Sequence, residues 1–347
     1  MHRWTARPTP RQLVRGALLG VLLVLGCGPA PAAREEGAAP APGATAAPTV
    51  APDHFRYAYP ATSLSYAYAL LGEAQGFYLQ QGLAPELVQI PASPLLAALL
   101  AGEVDYSAGA AGGIRLAVRG QPVRLVSTVS LQNFSLVARP EIEDGAALRG
   151  KLVGVASRGA SADRALQRAV RSLGLDPQTD VTVTALGDQQ LLWEALRVGR
   201  VAAIMASPPV NVQARHEGYR VLTNTAELEP AVIGGVAATL AVLERAHERT
   251  KRLIQAEWEI VRYMKAHPAE TAAFFAARFG ISPEEAAAAY AEVVPHYWDR
   301  LELHLAAVDA TIAAEREAAE ITAEVPREQV VDPSLVAEVR AALAPAP

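Results

Sequence analysis

The chain has little of what builds disulfides and metal centres. Its 347 residues include one cysteine, Cys27, and seven histidines. A single cysteine excludes an internal disulfide and a metal site made of several cysteines. The histidines are scattered and form neither an HxxxH nor an HExxH pattern. We therefore expect no metal site in this protein.

Positive charge is also in short supply. The formal net charge is −5 at pH 7, which disfavours nucleic-acid binding through a basic surface. Hydrophobic residues make up 51% of the chain and charged residues 19%, an ordinary balance for a globular protein. The length is sufficient for two α/β domains with a sizeable core.

The apolar run near the N-terminus is short. Ala17–Leu25 falls below the length of a comfortable transmembrane helix. The run ends in Gly26-Cys27 and follows four arginines, Arg3, Arg7, Arg11 and Arg15. This order resembles a bacterial lipoprotein signal, in which the chain is cut before the cysteine and the cysteine is lipidated. We predict a signal peptide over residues 1–26; the alternative is a plain secretory signal or an uncleaved anchor with an incidental cysteine.

Residues 27–52 are interpreted as the lipidated Cys27 and a flexible linker. The stretch is rich in alanine, proline and glycine and has no apolar period, so it is unable to bury a core. Such a tether would hold a folded domain outside the cell membrane, on the periplasmic side or at the cell surface. ATP and nicotinamide cofactors are scarce there, so we expect no cofactor.

The segment from Pro94 to Gly113 indicates a helix, a short strand and a loop of small residues. Ser93 is a candidate N-cap of the helix, and Gly102 is able to end it in a left-handed conformation. The loop, Ala108–Gly113, would leave backbone N–H groups uncovered for a small ligand.

A similar pattern recurs about a hundred residues later, which predicts two facing α/β units. Ala98-Leu99, Gly102 and Val104 return as Ala195-Leu196, Gly199 and Val201. The echo is imperfect, because Ala202 stands where Asp105 stands in the first copy.

Three segments resemble those of solute-binding proteins that serve ABC importers of the nitrate, sulfonate and taurine type. Gly72–Leu83 resembles the signature A-x-x-x-G-(F/Y)-(F/Y)-x-x-x-G-L, and Leu99–Tyr106 resembles the step L-x-x-G-x-(V/I)-D. Leu148–Val155 is similar to the opening of that family's second lobe, L-(K/R)-G-K-x-(I/V)-(G/A)-V. The group includes relatives that bind thiamine-precursor pyrimidines.

The resemblance implies an α/β, two-lobe periplasmic-binding-protein fold of type II, with two crossover strands and a ligand cleft between the lobes. Residues 53–138 would form the first part of lobe 1 and residues 139–228 lobe 2. Residues 229–347 would return to lobe 1 and end in helices. The implied partners are a small-molecule ligand, an ABC permease and its ATPase, for a monomer anchored to the membrane by its lipid.

Helix N-termini and strand-end loops of both lobes usually grip a ligand in such a cleft. The candidates from lobe 1 are Ser63, Leu64, Ser65, Tyr66, Ser107, Ala108, Gly109 and, near the first crossover, Asn133. The candidates from lobe 2 are Ser157, Gly159, Ala160, Ser161, Ser207 and Pro208. Tyr66 or Tyr106 would stack on a flat ligand. The backbone N–H groups of loop 157–161 are expected to point into the cleft, while Ser161 is equally suited to cap a helix and Arg158 either faces an anion or stays solvated.

The sequence therefore favours a lipid-anchored, non-catalytic protein that delivers a small organic or oxyanion solute to an ABC importer. One alternative is an enzyme on the same fold that acts on a small metabolite. A sensor subunit that reports its ligand to a partner is another.

Overall fold

The structure, a computed structural model, describes residues 51–344. The predicted signal peptide, Cys27 and residues 27–50 of the linker lie outside the described residues. Strands alternate with helices over the first two thirds of the described chain, and the last third is helical. The strands are β1 Asp53–Tyr59, β2 Leu83–Gln89, β3 Tyr106–Ser107, β4 Val123–Leu125, β5 Ser130–Leu131, β6 Ser135–Ala138, β7 Lys151–Val155, β8 Val181–Ala185, β9 Ala203–Ala206, β10 Arg220–Asn224, β11 Val232–Gly234 and β12 Ala237–Thr239.

The helices include short connectors and one long helix of 20 residues, α9, which begins the helical last third of the described chain. They are α1 Ala67–Ala74, α2 Phe77–Gln80, α3 Ala92–Ala101, α4 Ala110–Val118, α5 Ser161–Ser172, α6 Gln189–Arg197, α7 Val210–His216, α8 Leu240–Arg245, α9 His247–Ala266, α10 Pro268–Phe279, α11 Pro283–Val293, α12 Leu305–Ala318 and α13 Ser334–Leu343. No helix within residues 51–344 is both long and apolar enough to cross a membrane.

Two five-stranded sheets form the centres of two lobes. The first sheet has the order β2-β1-β3-β12-β4, and the second has the order β10-β6-β9-β7-β8. In the first sheet β1 runs parallel to β2 and β3, and β12 returns antiparallel to β3 and β4. In the second, β7 runs parallel to β8 and β9, and β6 is antiparallel to β9 and β10.

The chain crosses between the lobes twice. The two crossing segments lie side by side, because β5 pairs antiparallel with β11 in a sheet of their own, with Leu131 opposite Val232. This arrangement confirms the predicted two-lobe fold with two crossover strands. β6 joins the second sheet, with Ser135 opposite Ala206. The predicted boundary at residue 138 therefore falls after the first crossing, since residues 135–138 pair with the second lobe.

Two local predictions near α3 and α4 are wrong. α3 begins at Ala92 and has Pro91 at its N-cap, so Ser93 lies inside the first turn and does not cap the helix. α4 begins at Ala110, so most of the predicted small-residue loop is helical. A Cβ on Gly113 would come within 2.4 Å of the Ala237 Cβ, which shows that the small residues let α4 pack closely against β12. Gly102, at φ 74°, ends α3 in the left-handed conformation as predicted.

Candidate ligand-binding site

A cavity of about 290 Å³ lies between the two lobes. Its walls come mainly from segments that follow β1, β2, β7, β8 and β9, so the strand ends of both sheets face each other across it. Seven of the predicted residues line this cavity: Ser63, Ser65, Tyr66, Ser157, Ala160, Ser161 and Ser207. Helix N-termini and strand-end loops are common ligand sites in α/β folds.

The lobes touch directly at the cavity. The Ser63 side chain accepts a hydrogen bond from the Ser65 N–H at 3.2 Å and so caps the short 3-10 turn of residues 64–66. Its Oγ also lies 2.9 Å from the Ser207 Oγ of the second lobe. Beside this pair the Leu64 N–H donates to the Pro208 carbonyl at 3.0 Å. One turn of lobe 1 is therefore joined to the end of β9 in lobe 2.

The turn at residues 64–66 is positioned by groups that the sequence prediction did not assign to the site. The Ser130 hydroxyl donates to the Ser65 carbonyl at 2.9 Å, and the buried Tyr297 hydroxyl donates to the Leu64 carbonyl. Ser130 belongs to the crossover strand β5. The crossover therefore supports the cavity wall through the backbone of the turn, which side-chain patterns in the sequence do not reveal.

The loop before α5 differs from the prediction. The Gly159 N–H donates to the Asp163 carboxylate at 2.7 Å, so this amide serves the loop and does not point into the cleft. The N-cap of α5 is Ala160, and no side chain caps it. The proposed cap role of Ser161 is therefore wrong, and Ser161 instead occupies the first helical turn with its side chain at the cavity. Arg158 is half exposed and lies 3.6 Å from the Asp163 carboxylate.

Two more of the predicted residues line a smaller neighbouring pocket of about 10 Å³. Ser107 and Gly109 lie there together with Tyr66 and Ser161, which also line the main cavity. The Ser107 Oγ accepts a hydrogen bond from the Gly109 N–H at 3.0 Å. The segment that follows β3 is thus close to the main cavity but lines the smaller pocket.

The remaining candidates lie outside the cavity wall. Leu64 and Ala108 are fully buried in the core, and Pro208 presents its carbonyl to Leu64. The Asn133 side chain donates to the Glu292 carbonyl at 2.9 Å and accepts from Asn224 at 2.9 Å. The polar groups of Pro208 and Asn133 therefore form hydrogen bonds within the fold.

Tyr66 lines the cavity and Tyr106 does not. Burial raises the pKa of the Tyr66 hydroxyl well above its usual value, so Tyr66 is a neutral hydrogen-bonding group. The Tyr106 ring packs edge-on against Phe55 at 5.3 Å, and its hydroxyl shares a hydrogen bond with Thr250 at 2.8 Å. Of the two stacking candidates, Tyr106 is therefore excluded.

The sequence prediction did not include several of the residues that line the cavity. Two of these, Asp188 and Gln189, follow β8. Asp188 caps α6 by accepting the Leu191 N–H at 2.9 Å, and it also lies at the cavity. Gln189 accepts the Ser207 N–H at 3.1 Å and so holds the end of β9. Both follow a parallel strand at the edge where β7 and β9 end, so the strand-end rule would have found them had it been applied to β8. Phe134 and Ile233 add apolar surface to the wall.

The arrangement is suited to hold a small solute. Serines of both lobes line the cavity together with Asp188 and Gln189, and aromatic and aliphatic residues form the remaining wall. Such a mixture of apolar surface and a few placed polar groups is typical of small-molecule sites.

Comparison with known proteins agrees with this architecture. Residues 63–279, more than half of the chain, match the model of the NMT1-like family. The alkanesulfonate-binding protein SsuA from Xanthomonas axonopodis pv. citri, bound to MOPS, is 20% identical with a TM-score of 0.66, covering 84% of this chain and 98% of its own. The corresponding SsuA from Escherichia coli is 19% identical with a TM-score of 0.65, covering 82% of this chain and 99% of its own.

Other structures of this fold carry different names. The periplasmic nitrate-binding protein NrtA from Synechocystis PCC 6803 is 12% identical with a TM-score of 0.71, covering 84% of this chain and 89% of its own. DSZB, a desulfinase solved with biphenyl-2-sulfinic acid, is 16% identical with a TM-score of 0.60, covering 84% of this chain and 99% of its own. The comparison with curated protein sequences gave no match. The chain thus has the two-lobed fold of periplasmic binding proteins and belongs to the NMT1-like family.

Proposed function

We propose that this protein is an extracytoplasmic solute-binding protein that delivers a small organic or oxyanion solute to an ABC importer. The observation that carries the proposal is the cavity of about 290 Å³ whose wall is shared between the two lobes. A site divided in this way binds its ligand fully only when both lobes contact it, so ligand binding and lobe closure favour each other. The names of the SsuA and NrtA structures, which are binding proteins for alkanesulfonates and for nitrate, support a small organic or oxyanion solute as the ligand.

The proposal predicts saturable binding without conversion of the ligand. A thermal-shift screen of the purified protein would use nitrate, taurine, alkanesulfonates, pyrimidines and aromatic acids as probes. A true ligand stabilises the protein by about 2.7 kcal/mol at a hundred times its dissociation constant. Mass spectrometry after prolonged incubation would show each bound probe unchanged; conversion of a probe would favour an enzyme on the same fold.

Cavity variants test where a probe binds. Ser207→Ala removes one hydroxyl of the pair that joins the lobes, and Ser93→Ala removes an exposed hydroxyl from α3 as the matched control. We expect weaker binding for the first and wild-type binding for the second. A probe that binds both variants as tightly as the wild type would lie outside the cavity and would count against the proposal.

The lipid anchor is part of the proposal and is tested separately. Cys27 follows Gly26 at the end of the apolar run, where a lipoprotein signal is cut. Expression of Cys27→Ser in a bacterial host with a labelled fatty acid should leave the protein unlabelled and should release it or retain it with an uncut signal. Equal labelling of the variant and the wild type would rule the anchor out.

A further inference from the structure

Helix α5 carries three arginines on one face. Arg164, Arg168 and Arg171 are spaced by four and three residues, which brings them together on a helix. The first and last of them reach α12, which packs beside α4 of the first lobe. The Arg164 Nη2 lies 3.8 Å from the Glu315 carboxylate, and the Arg171 Nη2 donates to the Glu317 carboxylate at 2.9 Å.

The Glu315 carboxylate, which Arg164 contacts, is fixed in place by a second arginine. Arg115 of α4 donates to both of its carboxylate oxygens, at 3.0 and 3.2 Å. Such a two-point contact fixes the orientation of the carboxylate. Glu315 and Arg164 are both largely enclosed, whereas Arg171 and Glu317 are exposed. The contact between the lobes therefore has one protected pair and one solvent-exposed pair.

The middle arginine contacts both crossing segments. The Arg168 Nη2 donates to the Gln132 side-chain oxygen at 2.6 Å, and its Nη1 donates to the Glu229 carbonyl at 2.8 Å. Gln132 lies between β5 and β6, and Glu229 lies between β10 and β11. One guanidinium therefore ties α5 to the two connections about which the lobes are able to turn.

The same helix begins at the cavity. Ala160, Ser161 and Ala162 line it, so α5 has a ligand-facing end and an arginine face that meets the other lobe. α5 is one unbroken helix of 12 residues, so its hydrogen-bonded backbone connects these two regions rigidly. Any shift of α5 relative to α12 changes the cavity wall and the arginine contacts together.

We propose that the arginine face of α5 is an electrostatic latch between the lobes. Arg168 acts as the pivot on the crossing segments, and the pairs of Arg164 and Arg171 with α12 form when the lobes close. The latch sets the ratio of closed to open molecules, and through it the affinity for solute, from outside the cavity. This last step rests on the proposed binding function.

The Leu64 amide reports on lobe contact directly, because it donates to the Pro208 carbonyl of the other lobe. Hydrogen exchange of this amide is measured in the full-length protein by mass spectrometry, with the amides of β7 as an internal reference within lobe 2. Arg171→Glu and Glu317→Arg should each speed its exchange by about 1.4- to fivefold, the range set by an exposed ion pair. The double exchange, Arg171→Glu with Glu317→Arg, should restore the wild-type rate.

Arg197→Glu is the matched control. Arg197 also lies in the last turn of its helix, has the same side-chain exposure of 46%, and pairs with Glu194 and Glu217 inside lobe 2. This variant should leave Leu64 exchange unchanged. Added salt should speed Leu64 exchange in the wild type and have less effect in Arg171→Glu, because salt screens exposed charges.

Unchanged Leu64 exchange in both single variants would overturn the latch, as would a double variant that exchanges as fast as the singles. If the variants show faster Leu64 exchange and yet bind an identified probe with wild-type affinity, the proposed effect of the latch on solute affinity is wrong. Failure to bind any probe would count against the proposed function alone, since the exchange measurement needs no ligand.

Discussion

Serine has three different roles around this site. Ser63 caps a turn and contacts the other lobe, Ser161 faces the cavity without capping its helix, and Ser93 is exposed inside the first turn of α3. All three stand near helix starts, where serine is favoured as a cap. The local sequence does not separate these roles, because each depends on what the fold places opposite the hydroxyl.

The role of Ser161 leads to a first prediction. Ser161→Ala should weaken binding of an identified solute by about 0.5–1.5 kcal/mol, the usual contribution of one hydrogen bond. The free energy of unfolding without solute should stay at the wild-type value, since no cap is lost. Calorimetry for binding and urea titration for stability check the two halves. A variant that is less stable but binds normally would mean that Ser161 supports the helix and not the ligand.

Asp188 has both a cap and a cavity position, and two substitutions separate them. Asp188→Ala should destabilise the protein by about 1 kcal/mol because α6 loses its side-chain cap. Asp188→Asn keeps a good capping residue and should unfold at the wild-type urea midpoint. A change of solute affinity in Asp188→Asn would then measure the effect of the carboxylate charge alone. Equal stability of the two variants would contradict the cap role.

At the scale of elements, the crossover pair β5 and β11 depends on a glycine. A Cβ on Gly234 would lie 2.3 Å from the Ser130 Oγ, the group that donates to the Ser65 carbonyl. A glycine at this place lets the crossover strands approach the turn at residues 64–66. The element that joins the lobes is therefore also the element that shapes the cavity wall.

Gly234→Ala should consequently destabilise the protein by about 1–3 kcal/mol through overpacking. Urea unfolding measures the effect. The double variant Gly234→Ala with Ser130→Ala should be less destabilised than the sum of the two single variants, because removal of the hydroxyl makes room for the added methyl. Simple additivity would show that the close approach of these two residues is not the cause.

At the scale of the whole molecule, one buried acid couples stability to pH. Glu257 of α9 is 1% exposed; its carboxyl group contacts the Tyr57 hydroxyl and lies 3.4 Å from the Ser127 hydroxyl. Burial raises the pKa of Glu257 from 4.5 to about 8, although these hydrogen bonds act to lower it. The folded protein therefore keeps Glu257 protonated at a pH where the unfolded chain ionises it.

This difference predicts that stability falls with rising pH. The contribution of Glu257 is fully present below pH 4.5 and is lost as the pH rises toward about 8, since folding then requires the uptake of a proton. The free energy of unfolding of Glu257→Gln should depend less on pH across this interval. Substitution of the exposed Glu244 by Gln serves as control and should keep the wild-type dependence. An identical pH profile for Glu257→Gln and wild type would contradict a protonated Glu257.

The two-lobe fold followed from the sequence because its evidence is local and repeated. The leucine-rich helix that ends at Gly102 returns in the helix that ends at Gly199, and both glycines adopt the left-handed conformation, at φ 74° and 72°. Turns of this kind are determined by backbone geometry that few residues other than glycine tolerate. The strand-end rule likewise placed half of the candidate residues at the cavity.

The contacts between distant segments were decided by the tertiary structure alone. The Ser63–Ser207 pair joins residues 144 positions apart, and the Arg171–Glu317 pair joins residues 146 positions apart. The sequence assigned the Gly159 N–H to the cleft, but the Asp163 carboxylate one turn away accepts it. Residue type and spacing determine which elements form, whereas the partner of each polar group depends on which elements the packing of the core brings together.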